Sequence, residues 1–175
     1  MCKKLKIQIS ILILVSSSLG WSQIKMFKNV VRPSKGIAVT YPAKQISISI
    51  GKNVNEVYQF ISTPENMPRW AAGLSQAELI KSGDEWIADS PMGKVKVRFA
   101  EKNKYGVVDH DVTLPSGKVN HNPLRVVKNG DGSEVIFTLY RRPKMSDVDF
   151  ENDARAVTKD LQKLKQILEK YVRSD

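Results

Sequence analysis

The chain has 175 residues, of which 41% are hydrophobic and 26% charged, and its formal net charge is +10. This length suits one domain with its own core, and the composition excludes a disordered or fibrous chain. A positive charge of this size favours anionic partners and is compatible with a peripheral contact to membrane headgroups. Nucleic-acid binding is not expected, because the lysines are spread along the chain without a compact basic cluster that includes aromatic residues.

The first 22 residues have the layout of a secretory signal peptide. Segment 1–22 has three lysines among its first six residues, an apolar stretch from Ile7 to Val15 and small residues before Ser22. The apolar stretch is shorter than the roughly 20 residues that span a bilayer. We expect cleavage after Ser22 and export to the periplasm or the extracellular space. An uncleaved N-terminal anchor is the alternative.

The only cysteine, Cys2, lies in this segment. The exported chain is therefore expected to have no disulfide, no cysteine nucleophile and no thiolate metal site. We predict an extended lead-in over residues 23–43, which contain Pro33, Gly36 and Pro42 and little apolar periodicity. The folded domain is predicted over residues 44–173.

The domain is predicted to open with a strand and two short helices. Isoleucine at every second position up to Ile50 indicates a half-buried strand, which Gly51 ends. A short helix follows, and Pro64 starts a second one that includes Trp70. The apolar faces of these helices consist of Val54, Val57, Tyr58, Ile61, Met67, Trp70 and Leu74.

Strands separated by turn signals are predicted to follow. They cover residues 76–81, 85–89, 92–100, 107–114, 119–127 and 134–142. The turns between them contain Gly83, Gly117 and Gly130, which tolerate the positive φ that tight hairpins require. The sheet is therefore expected to be antiparallel.

The C-terminal part is predicted to be one long amphipathic helix. Apolar residues recur at steps of three and four from Phe150 to Tyr171, while Asp147 and Asp149 suit a helix N-terminus. The opposite face is charged and is predicted to be solvated; it consists of Lys159, Asp160, Lys163, Glu169 and Lys170. A single helix that follows a sheet is expected to pack across that sheet.

This element order and several local motifs resemble the SRPBCC superfamily, which includes START-like and polyketide cyclase/dehydrase-like lipid-binding proteins. The resemblance rests on the strand at 45–50, the helix at 54–61 and the final strand at 131–139 that leads into the long helix. It rests also on Glu65-x-x-Pro68-x-Trp70, which is similar to a D/E-x-x-P-x-W turn common there. The resemblance implies an α+β helix-grip fold. Such a fold has a curved antiparallel sheet of about seven strands, two short helices after the first strand, and a long C-terminal helix across the sheet.

Both histidines are predicted to face the cavity of such a fold. By alternation, His110 shares a face with Val108, Val112 and Leu114. A hairpin centred on Ser116 and Gly117 would set Val112 opposite His121 and bring both imidazoles to that face. They are then polar anchors for a ligand or a general acid/base pair, or else hydrogen-bonded core residues with no chemical role.

The other candidates for ligand contact are apolar or basic. Val97, Phe99, Val112 and Phe137 are predicted on the inward faces of their strands. Trp70 and Trp86 are predicted near the cavity mouth, where each either stacks on a ligand or belongs to the core. Arg125 would reach an acidic head group if its strand stays regular past Pro123.

The sequence favours binding over catalysis. Two imidazoles without a third ligand do not complete a metal site, and the chain has no serine-hydrolase elbow, P-loop or dinucleotide fingerprint, so no cofactor is expected. We predict a binding protein for a small hydrophobic or amphipathic molecule, such as a lipid or polyketide. The alternatives are a cyclase or dehydrase that uses His110 as general base, and a protein-interaction module without a ligand.

Overall fold

The computed structural model describes residues 39–75, 77–91 and 93–170. The predicted signal peptide and most of the predicted lead-in lie outside these residues, as does the end of the predicted helix. The described part contains the strands β1 (Ala43–Ile50), β2 (Ile80–Ser82), β3 (Glu85–Ser90), β4 (Gly93–Phe99), β5 (His110–Thr113), β6 (Val119–Asn122), β7 (Leu124–Asn129) and β8 (Gly132–Tyr140). It also contains the helices α1 (Val54–Ile61), α2 (Met67–Trp70) and α3 (Asp147–Glu169), with 3-10 turns at Pro64–Asn66 and Ala72–Leu74 on either side of α2.

The strands form a curved antiparallel sheet in two hydrogen-bonded groups, in the orders β2-β3-β4-β5-β6 and β1-β8-β7. The structure is therefore α+β, with short helices after the first strand and a long C-terminal helix over the sheet, as the sequence predicts. The predicted strand at 119–127 is divided in two at Pro123, which lacks the amide hydrogen that a ladder needs. The groups remain linked there, since the Pro123 carbonyl accepts from Thr138 N (3.0 Å) and the Leu124 carbonyl from Val108 N (2.9 Å).

The long helix lies along β1 in the same direction as that strand. Lys44 near the start of β1 pairs with Glu151, while at the other end Glu169 accepts from Gly51 N (2.8 Å). Ser146 caps the N-terminus of this helix, and its hydroxyl accepts from Asp149 N. Its buried side chains are the predicted apolar stripe: Phe150, Ala154, Leu161, Leu164 and Leu168.

The two ends of this helix–sheet sandwich differ. At one end, α1 packs on β7 and β8, next to the C-terminal half of α3. We call this the closed end, and its core includes the fully buried Val57, Leu124, Val135 and Leu164. The other end, which we call the open end, is bounded by the tip of the β5–β6 hairpin, the end of β8 and the N-terminal half of α3.

The predicted register of the β5–β6 hairpin is wrong by one residue. Gly117 has φ +79°, and Leu114 N donates to the Lys118 carbonyl (2.9 Å), so the loop has three residues rather than four. His110 therefore lies opposite Asn122, and His121 lies opposite Asp111. One residue of slip moves every side chain of β6 to the other face of the sheet.

Candidate functional site

A two-chambered cavity lies between the sheet and the N-terminal half of α3. The outer chamber has a volume of about 500 Å³, and the inner chamber about 190 Å³. Five residues line both chambers, so they form the boundary between them: Val112, Asn122, Phe137, Val157 and Asp160. The chambers are therefore neighbouring compartments at the open end.

The outer chamber is lined by apolar side chains and bordered by charged ones. Its apolar wall includes Leu114, Val119, Phe137, Leu139 and Tyr140. At its edge, Arg142 donates to Asn120 (3.1 Å) and to Asp153 (3.0 Å). These bonds join the β5–β6 hairpin to α3 through one guanidinium group. The arrangement suits an amphipathic molecule with its apolar part inside.

The inner chamber lies under the α2 region and is lined by large, buried side chains. Met67, Trp70 and Leu74 form its wall on the helical side, and Val95 and His110 form part of its wall on the sheet side. Trp70 is only 5% exposed, and its indole Nε1 has no hydrogen-bond partner among the described residues. A buried donor without a partner is unfavourable by about 1–3 kcal/mol.

His110 also lines this chamber. It is 5% exposed, and its ring lies 5.4 Å from the ring of Phe99. Its Nδ1 lies 3.2 Å from the Val108 carbonyl oxygen; since that oxygen only accepts, Nδ1 carries the proton and Nε2 is left as an acceptor. Burial lowers the pKa of His110 to about 4, against the opposing effects of the Val108 bond and Asp111. The imidazole is therefore neutral at pH 7.

Asp160 places a carboxyl group at the boundary of the chambers. One oxygen accepts from Ala72 N at 3.0 Å, which ties α3 to the turn after α2. Burial raises the pKa of Asp160, while the Ala72 bond and Lys163 act in the opposite direction. Asp160 was assigned to the solvated face of the helix from its sequence, and the structure corrects this assignment. The short helices extend over α3 and partly cover that face.

The structure also corrects the predicted faces of two basic candidates. The side chain of His121 is 55% exposed and its Nδ1 lies 2.7 Å from Asp111, outside the inner chamber, although His121 still borders the outer chamber. Arg125 also faces outward, because its neighbours Leu124 and Val126 are the buried residues of β7, and it pairs with Asp109. The bend at Pro123 explains the second error.

The other predicted candidates divide into cavity and core residues. Trp70, Val112 and Phe137 line the cavity together with His110. Val97 is fully buried opposite Trp86 on β3, and both belong to the core outside the chamber linings. Phe99 packs on His110 but lines only a separate shallow pocket near Asp111 and His121. These positions leave the proposed binding roles as predictions.

Some features of the described residues bear on other chemistry. No three His, Cys, Asp or Glu side chains of the described ranges are grouped so that they could hold a metal ion. In the same part of the chain, no helix combines the length and apolar character that a membrane span requires.

Comparison with known proteins identifies a fold rather than a family. No protein-family profile matches the chain, and no curated protein is significantly similar in sequence. Solved structures do match. XoxI from Bacillus cereus is 16% identical with a TM-score of 0.58, over 74% of this chain and 97% of that one. The Aha1 dimer protein from Colwellia psychrerythraea is 15% identical with a TM-score of 0.57, over 73% and 96%.

A third match comes from a biosynthetic gene cluster. DynU16, a protein of the dynemicin biosynthetic locus, is 11% identical with a TM-score of 0.57, over 73% of this chain and 47% of that one. The three proteins share the α+β arrangement of a sheet and a long helix. The chain thus has the fold of this group of small α+β proteins, and identities this low carry no further assignment.

Proposed function

We propose that this protein binds a small apolar or amphipathic molecule in the two-chambered cavity. The observation that supports the proposal is a cavity with apolar walls and a few polar side chains, among them His110, Asn122 and Asp160. Such a combination is typical of ligand pockets, where apolar walls supply affinity and a few polar groups supply orientation. The likeness in fold to a protein of the dynemicin biosynthetic locus is in keeping with this proposal.

The walls alone would provide useful affinity. Burial of apolar surface contributes about 25 cal/mol per Å², so each 100 Å² of ligand surface yields about 2.5 kcal/mol before the cost of association. No charged anchor is needed for a lipid-like or polyketide-like molecule. We therefore assign the chain's role to binding or carriage, within the SRPBCC superfamily that its motifs resemble.

The proposal is tested by native mass spectrometry of the protein as purified, followed by extraction and identification of bound molecules. Val157→Phe fills space at the boundary of the two chambers and should abolish the bound mass. Val148→Phe makes the same change on the same helix at a position that is 68% exposed, and should retain it. Equal loss in both variants, or no uptake from a panel of lipids and apolar metabolites, would refute the proposal and favour the protein-interaction module.

Catalysis by His110 is the second candidate, because this residue lines the inner chamber. A general base works best with a pKa near the working pH, and the pKa of about 4 makes His110 a weak proton acceptor at neutral pH. Binding therefore has the better support. If extraction identifies a cyclisable or dehydratable ligand, turnover that His110→Gln abolishes would replace the binding proposal with the enzymatic one.

We also propose that the protein works outside the cytoplasm. The support is the signal-like pattern of residues 1–22, with its basic start and apolar stretch. The N-terminus of protein recovered from the exported fraction should then be Gln23. An intact N-terminus in the membrane fraction would indicate the uncleaved anchor. Flotation with anionic and neutral vesicles tests the peripheral membrane contact that the net charge favours.

A further inference from the structure

Three compartments lie in a row at the open end of the protein. The inner and outer chambers share their five boundary residues, and the outer chamber shares Lys118, Arg142, Pro143 and Asp153 with a shallow recess at its edge. We call this the basic recess; its lining also includes Lys144, Met145 and Asp149. Among the described residues, none lines both the inner chamber and the basic recess. The outer chamber therefore lies between the other two.

Positive charge is confined to one end of this row. No lysine or arginine of the described ranges lines the inner chamber, and its His110 is neutral at pH 7. Lys118 and Arg142 belong to the lining of the outer chamber. Lys144 joins them in the basic recess, which thus has three cationic side chains. The lining changes from apolar and uncharged to basic along the row.

We infer that the ligand is an elongated amphiphile with an acidic head group, either a carboxylate or a phosphate. The head group lies in the basic recess, and the apolar chain extends through the outer chamber toward the inner one. Val112, Phe137 and Val157 line both chambers, so the passage between them has apolar walls that suit a hydrocarbon chain. This inference rests on the proposed function and adds the class of ligand to it.

The acidic residues of the basic recess already have partners. Asp153 pairs with Arg142 at 3.0 Å, and Asp149 accepts from the hydroxyl of Ser146 at 2.6 Å. Lys118 and Lys144 are exposed, and neither forms an ion pair within the part of the chain that the structure describes. Lysine is a flexible point charge, so the two ammonium groups can approach one anionic head group at the mouth of the cavity.

Other head groups and orientations fit this row less well. An alcohol gains no attraction between charges. An ammonium group would be repelled by the cations and would compete for Asp149 and Asp153 with the partners that those residues already have. An acidic head group placed in the inner chamber would lie beside Asp160 with no cation in the lining, which is unfavourable in a buried site.

The test uses four ten-carbon probes below their micelle concentrations: decanoate, decyl phosphate, decanol and decylamine. Their affinities for the protein, produced from its full coding sequence and freed of bound molecules, are measured by isothermal titration calorimetry at pH 7. The two acids should bind about five- to tenfold more tightly than decanol, and decylamine most weakly. The preference for the acids should shrink as the salt concentration rises. Acetate and inorganic phosphate should not displace decanoate, because they lack the apolar chain.

Two pairs of lysine substitutions provide a matched comparison. Lys118→Gln combined with Lys144→Gln removes two positive charges from the basic recess and should lower the affinity for decanoate about five- to tenfold, with little effect on decanol. Lys104→Gln combined with Lys128→Gln removes the same charge from a surface pocket at the closed end and should leave both affinities unchanged. All four lysines are exposed, so folding is not expected to depend on them.

The two histidines of the chain report the orientation of the ligand by NMR. His121 borders the outer chamber and His110 the inner one. With the head group in the basic recess, bound decyl phosphate should leave His110 neutral between pH 7 and pH 5, since the pKa of this residue is about 4. A head group in the inner chamber would raise that pKa and protonate His110 within this range, which would overturn the assigned orientation.

The outcomes separate this inference from the proposed function. Equal affinity for decanoate and decanol, or tightest binding of decylamine, overturns the inference and leaves the binding cavity intact. An equal loss of decanoate affinity in the two lysine pairs overturns the role of the basic recess in favour of the overall charge. Displacement of decanoate by acetate or inorganic phosphate overturns it in favour of a site for small anions. Binding of none of the probes, together with a clean mass of the purified protein, overturns the inference and the proposed function together.

Discussion

The closed and open ends of the protein use the same sheet and the same helix in different ways. At the closed end, the side chains of α3 that face the sheet, such as Leu161 and Leu164, are at most 1% exposed. At the open end, Val157 and Asp160 of the same helix face a cavity. The difference arises from the short helices, since α1 packs on β7 and β8 while the α2 region closes only one side of the inner chamber.

This comparison suggests that stability and binding are separated along α3. The closed end has interdigitated apolar residues and gains from burial and close packing. The open end has unfilled volume and polar atoms in its walls, and both are unfavourable in a protein that only needs to be stable. Substitutions at the closed end should therefore alter the free energy of unfolding, and substitutions at the open end should alter binding.

The largest effect is expected from a matched pair of leucine truncations. Leu164→Ala at the closed end should lower the free energy of unfolding by about 2–5 kcal/mol, because Leu164 is fully buried and its removal leaves a cavity. Leu114→Ala in the outer chamber should lower it by about 1 kcal/mol or less, because this side chain already borders open space. Urea unfolding measures both. Equal losses would contradict the separation of the two ends.

A second test concerns a close backbone approach that supports β7. Gly106 has φ +70°, and a Cβ there would overlap the carbonyl oxygen of Val126. Gly106→Ala should therefore be destabilising by about 3 kcal/mol, from the backbone conformation together with the overlap. Gly83→Ala at φ +61° has nothing within 4 Å of its Cβ and should show only the conformational part, about 1 kcal/mol. Similar losses for both variants would show that the approach to Val126 is unimportant.

The buried histidine should give the open end a pH-dependent stability. The pKa of His110 is about 4 in the folded protein and 6.5 ordinarily, so between these values the unfolded chain binds the proton more readily. The contribution of neutral His110 is full above pH 6.5 and is lost as the pH falls toward 4, by about 2–3 kcal/mol. Asp160 acts in the opposite direction, since its raised pKa favours the folded state as the pH falls.

Comparison with a variant isolates the contribution of His110 to the pH dependence of the free energy of unfolding. His110→Gln does not titrate, so the difference in unfolding free energy between it and the unmodified protein should shrink as the pH falls from 7 to 4.5. The effects of Asp160 and of the surface carboxyl groups are common to both proteins and cancel to first order. A difference that stays constant over this range would mean that folding does not lower the pKa of His110.

Local sequence patterns predicted the helices and strands well. The errors occurred where a single residue determines the pairing register of a hairpin or the direction of a strand. The apolar stripe of α3 and the alternation in β1 follow from side-chain periodicity, which packing against a sheet reinforces. The β5–β6 register depended on whether Gly117 closes a three-residue or a four-residue loop, and both loops fit the same residues. That choice decided the face of His121. Pro123 decided the face of Arg125 in a similar way.

The candidate site was predictable on the sheet side and, on the helical side, at Trp70. His110, Val112 and Phe137 face the cavity because they alternate with outward residues on their strands. Asp160 and Arg142 were not predicted to face it, since a charged residue beside an apolar stripe is usually solvated. Only the placement of the α2 region over Asp160, and the turn that brings Arg142 toward Asp153, gives them a role. A sequence pattern does not contain those placements.

The smallest effect is expected in the turn that leads from β8 to α3 at the open end. Met145 N donates to the Arg142 carbonyl (3.1 Å), Pro143 occupies the second position, and Lys144 at the third has φ 66°. Glycine is preferred at such a position, because a Cβ is unfavourable there by about 1–2 kcal/mol, offset in part by the greater freedom of glycine in the unfolded chain.

Lys144→Gly should therefore raise the free energy of unfolding by up to about 1 kcal/mol, measured by urea unfolding. Lys144→Ala removes the same charge but keeps the Cβ, so it should give no such gain. A gain in both variants would assign the effect to the charge near Lys118 and Arg142 rather than to the backbone. A gain confined to the glycine variant would show that the backbone of this turn at the open end is strained by the Cβ of Lys144. Binding should be unchanged in Lys144→Gly if the turn only connects the elements, and weakened if the lysine side chain also contacts the ligand.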